Sequence, residues 1–170
     1  MYSYKEFPSQ VLLAVKPIAE EYDLSVKKIT DDHLVEFENE FCELSFYCDH
    51  GNLNVSIKMK SSNTNFRVYD IVKFLYQEIP LLTEDYYYGS LKAALWYTDI
   101  CTTYLGHVLQ GDASWVNALT ELKEYEQKVF LFVYTGLDKN HLIRKKFDNN
   151  DPTWFKDAEE MLKNKRAAKS

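Results

Sequence analysis

The spacing of apolar positions changes period along the chain. From Phe7 to Tyr22, Val11, Leu12, Val15, Ile18, Ala19 and Tyr22 recur at helical intervals, opposite a wet side at Gln10, Lys16, Glu20 and Glu21. Pro17 removes a backbone donor and crowds the Leu13 carbonyl, which predicts a kink or two short pieces. From His33 the period drops to two. Cys42, Leu44, Phe46 and Cys48 fall on one face, against Glu43, Ser45 and Tyr47 on the other. Leu53, Val55, Ile57 and Met59 alternate in the same way with Asn54, Ser56 and Lys58. The turn residues Asp49-His-Gly-Asn52 join these two runs, with Gly51 free to take a positive φ. A shorter strand at Leu34–Glu38 turns Val35 and Phe37 inward, Asn39-Glu40 makes a tight turn after it, and Val26–Ile29 adds an edge. Together they predict an antiparallel meander with one dry and one wet face.

Residues 60–65 read as a polar connection, and everything after them as helical. Val68, Ile71, Val72, Leu75 and Ile79 predict a helix stopped by Pro80. A second helix starts near Thr83 or Ser90 and runs to the breaker Gly111. Its Ser90–Gln110 stretch is apolar on most of its circumference, and Lys92, Asp99, Gly106 and Gln110 form a narrow polar stripe. A third helix, capped by Asp112 or Ser114, extends to Gly136. A short piece covers 140–147, and a last helix opens at Asp151-Pro152. The expected architecture is a single α+β domain over residues 1–170. An N-terminal helix and a three- to four-stranded antiparallel meander fill 1–60, and a helical half with a central buried helix fills 61–170.

Composition narrows the function classes. The chain is 46% hydrophobic and 15% aromatic, which fits a folded core. Its net charge of −6 argues against nucleic acid as a partner, because phosphate binding needs a basic field. From Glu20 to Asp49 ten acids face only Lys27 and Lys28, whereas the chain beyond Lys139 turns basic. Three cysteines without framework spacing, and no basic leader before an apolar run, point to a cytoplasmic protein. Asp99 within Leu91–Leu109 argues against a membrane span, at about 2.5–3.5 kcal/mol on insertion scales.

No catalytic set emerges, and no metal or cofactor is expected. Cys42, Cys48 and His50 lack a zinc spacing, and adjacent strand residues point to opposite faces. Cys101 and His107 lie on opposed sides of one helix, so neither activates the other. Residues 148–159 echo a calcium loop, but Pro152 and Thr153 stand where an oxygen ligand and a glycine belong. Lys92, Asp99, Thr103 and His107 form a polar row on the central helix that could line a cleft and hold a general base. Two surface features remain. Glu36, Glu38, Glu43 and Tyr47 share the wet sheet face, and Tyr86, Tyr87 and Tyr88 precede the central helix. Acidic patches steer basic partners, and tyrosine is enriched in interface cores.

The segments LSFYCDHGNLNVSI (44–57) and YLGHVLQGD (104–112), in this order of elements, carry a resemblance to a loose group of small bacterial α+β proteins. Several of that group are immunity proteins of toxin systems. The resemblance implies a protein that binds and blocks a toxin, often a basic nuclease, and transfers no functional residue. The expected function is therefore a non-catalytic protein-binding module with a basic protein partner. The alternatives are a small-molecule binder or enzyme built on the polar row, and an assembly subunit.

Overall fold

The computed structural model describes residues 6–30, 33–49, 51–77 and 91–167. It is α+β, and the chain divides into two compact units, Met1–Val116 and Asn117–Ser170. Among the described residues no helix is long and apolar enough to cross a membrane.

The first unit opens with α1 (Phe7–Glu21), which buries Phe7, Val11, Ala14, Val15 and Ile18. The helix is unbroken through Pro17, whose ring lies on the exposed side. The five strands that follow pair antiparallel in chain order: β1 (Ser25–Thr30), β2 (Leu34–Glu38), β3 (Cys42–Asp49), β4 (Asn52–Met59) and β5 (Thr64–Arg67). The dry face holds Val35, Phe37, Cys42, Leu44, Phe46, Cys48, Leu53, Val55, Ile57 and Met59, as the period of two requires. Gly51 takes the positive φ, 88°, that its turn needs.

The sheet has a fifth strand where the sequence reads as a polar connection and then a helix. Lys60–Asn63 form the turn, with Asn63 at φ 54°, and Phe66 on β5 returns opposite Ile57 to bury its ring. One inward aromatic among Thr64, Asn65 and Arg67 is too short a pattern to announce a strand. The helices then cover the dry face. α2 (Val68–Tyr76) packs on β4 and β5, and α1 lies on β2. α3 (Leu91–Tyr104) packs on α1 and β4.

Three helical expectations change. α2 stops at Tyr76 rather than before Pro80, because Gln77 takes the left-handed conformation (φ 57°) and returns its N–H to the Lys73 carbonyl at 3.1 Å. The helix expected to reach Gly111 breaks at Leu105 (φ −117°, ψ 13°), and a short α4 (Gly106–Leu109) follows. At the break the Tyr22 hydroxyl sits where a Cβ on Gly106 would lie 2.6 Å away, so the glycine is what allows the two segments to approach. The buried surface of α3 is also narrower than its sequence suggests: Ala93, Ala94, Tyr97, Thr98, Ile100 and Cys101 are inside, but Leu95 is 44% exposed. Thr98 tolerates burial because its hydroxyl donates to the Ala94 carbonyl at 2.9 Å.

The end of β2 is tied to distant segments by Asn39. Its Nδ2 donates to the carbonyls of Tyr22 (3.0 Å) and Leu109 (2.8 Å), and its Oδ1 accepts from the backbone N–H groups of Phe41 and Cys42, both at 2.9 Å. A neutral amide is the side chain that can donate twice and accept twice at one point. Nearby, Gly111 has φ 100°, and a Cβ there would come within 2.6 Å of the Phe41 ring.

In the second unit α5 (Val116–Gly136), α6 (Leu142–Asp148) and α7 (Trp154–Ala167) gather Val129, Val133, Ile143 and Ala158 into a small core. Arg144 is buried in it, and four groups satisfy its guanidinium. It donates to the Asp148 carboxylate (2.9 Å) and to the Tyr134 carbonyl, and lies over the Tyr134 and Phe147 rings at 4.6 and 5.7 Å. α6 is capped by the His141 imidazole, which accepts from the Ile143 N–H at 3.2 Å. Asp151 accepts from the Thr153 N–H just before α7 begins, two residues after Pro152.

Two outcomes follow for stability. Asn39→Ala should lower the unfolding free energy by about 2–4 kcal/mol in urea titrations, since it strands several backbone groups at once. Asn39→Asp should be at least as damaging at neutral pH, where a carboxylate would face two carbonyls, and should recover part of the loss as the pH falls and the carboxyl protonates. Gly111→Ala should be less stable by about 1–3 kcal/mol. Adding Phe41→Ala should remove the contact component but not the backbone component, so the double variant should remain below Phe41→Ala alone.

Candidate functional site

On the wet face the register places the acids in the two middle columns. Glu38 on β2 stands directly opposite Glu43 on β3, and Glu36 opposite Ser45. Two carboxylates in directly opposed positions repel. Lysines in the flanking columns offset this. Lys58 on β4 is directly opposite Glu43, with Nζ 3.8 Å from Oε2. Lys60, just past β4, reaches Glu38 Oε2 at 2.8 Å.

The third cation comes from an irregularity. Val26 pairs with Phe37 and Lys28 with Glu36, so β1 spends two residues against one on β2, and Lys27 is the extra residue of a β-bulge. Lys27 extends across β2 to Glu43 Oε1 at 2.6 Å. The hydrogen bond to Glu43 holds the Lys27 ammonium above its ordinary pKa, and the hydrogen bond from Lys60 holds the Glu38 carboxyl below its own.

Glu43 thus lies beneath two ammonium groups, with its side chain 15% exposed. Glu36 is placed differently. Among the described residues its side-chain partner is the Ser45 hydroxyl, at 3.3 Å. Tyr47 is 42% exposed, directly opposite half-buried Leu34 on one side and Asn54 on the other. The four wet-face residues read from the sequence are brought together, but as a patterned field. Glu38 and Glu43 belong to cross-strand ion pairs, and Glu36 and Tyr47 are the acid and the ring outside those pairs. The lysines that match the acids were the missed component. Lys58 shares the alternation of β4 and was legible there, whereas Lys27 depends on a bulge that no residue type announces.

Tyr86, Tyr87 and Tyr88 lie outside the described residues, as does His50. Lys92, Asp99 and Thr103 are exposed on α3. His107 belongs to α4, beyond the break, and its Nε2 lies 3.8 Å from Asp112 Oδ2. The row is therefore split between two helices. The hydrogen bond from the Ser114 N–H holds the Asp112 carboxyl below its usual range. A cavity of about 270 Å³ beside Asn39, walled by Tyr22, Asp23, Glu40 and Gln110 among others, takes none of its lining from that row.

The thiols are internal. Burial pushes Cys42 up to about 11 and Cys101 up to about 12, which leaves almost no thiolate at neutral pH. No group of three metal-ligating side chains occurs among the described residues. In the stretch that echoes a calcium loop, Asp148 is engaged by Arg144, Asp151 by the Thr153 N–H and Asp157 by Lys146.

No protein-family model, curated protein or solved structure significantly matches this chain.

The Glu38–Lys60 pair sets a pH dependence. A carboxyl whose folded pKa is depressed adds stability above its unfolded pKa and loses it as the pH falls through the lower folded value. Urea midpoints measured from neutral pH down through the carboxylate range should therefore fall more steeply for the parent protein than for Lys60→Met. Raised salt should shrink that difference, since both side chains are about one-third exposed.

Proposed function

We propose that the chain is a non-catalytic protein-binding module whose contact surface is the wet face of the sheet, centred on Glu36 and Tyr47. The observation that carries this reading is Tyr47: a large ring, well exposed, in the middle of a five-stranded sheet and flanked by Leu34 and Glu36. A rigid tyrosine on a flat strand surface contributes area at little conformational cost and is a common anchor of interfaces. The first unit carries a net charge of −8, against +2 in the second, so its long-range field favours a basic partner. Within this reading the narrower role is that of a cytoplasmic, immunity-type inhibitor of a basic toxin.

The ion pairs determine how the proposal is tested. Reversing Glu38 or Glu43 would leave Lys27, Lys58 or Lys60 without its carboxylate and disturb the sheet itself. Glu36→Lys and Tyr47→Ala change the surface while keeping those pairs. In a capture from the native lysate at low salt, the parent protein should retain a basic protein that both variants lose, with affinity reduced at least about tenfold for each. Unchanged circular dichroism would show that the variants are folded. Retention of the same proteins by parent and both variants would refute the wet face as the contact surface.

A further inference from the structure

We draw no further inference here: the strongest candidate, the cavity beside Asn39 where the end of α1, the β2–β3 turn and α4 meet, is walled by the exposed acids Glu21, Asp23 and Glu40, an acidic cluster with no second feature that selects a ligand.

Discussion

Asn39 ties together three pieces of chain that are distant in sequence. Its amide group donates to the last turn of α1 and to α4, seventy residues away, while its carbonyl oxygen organises the turn into β3. The side chains buried between the helices and the sheet are mostly apolar, and apolar burial is non-directional. It sets how much surface is covered but leaves the helices free to slide or rotate over it. Four directed hydrogen bonds at one residue fix where α1 and α4 end relative to the strands. The break at Leu105 belongs to the same arrangement. The chain must leave α3 early for the Leu109 carbonyl to reach Asn39, and Gly106 lets Tyr22 come close enough for the Tyr22 carbonyl to do so as well.

The wet face shows how a strand alternation can be read correctly and its electrostatics misjudged. Ten acids against two lysines between Glu20 and Asp49 suggest an exposed acidic field. Pairing across strands brings in Lys58 and Lys60 from beyond that window, and the bulge turns Lys27 inward over Glu43. Charge along a sequence is a sum over neighbours in the chain, whereas charge on a sheet is a sum over columns. The acidity that remains belongs to the unit as a whole, and locally to Glu36.

Most of the architecture was legible because it rests on repeated signals. The period of two over Cys42–Cys48 and Leu53–Met59 specified the faces, and Val35 and Phe37 were placed inside from only five residues. What escaped was set by single residues or by geometry. β5 hangs on Phe66 alone, and α2 ends at a left-handed Gln77, a residue type that seldom signals a stop. The breadth of the buried face on α3 was overestimated because apolar residues on a helix record what it could bury, and Leu95 shows that nothing obliges the fold to use all of it. Of the candidate site, Glu36, Glu38, Glu43 and Tyr47 were found from alternation. Their unequal roles were not, since these depend on which lysine stands opposite.

The strict chain order of the sheet has a kinetic meaning. Every strand pairs with its sequence neighbour, so each hairpin closes a loop of only a few residues, and the loop-closure entropy opposing the sheet is small at every step. The contacts that span the longest stretches of chain include those of α3 with α1 and of α4 with the β2–β3 turn, and they reach their full benefit only on a sheet that already exists. The meander is therefore a template that assembles locally, and the seventy-residue closure through Asn39 is the late, slow step that turns a sheet with loosely attached helices into one defined structure.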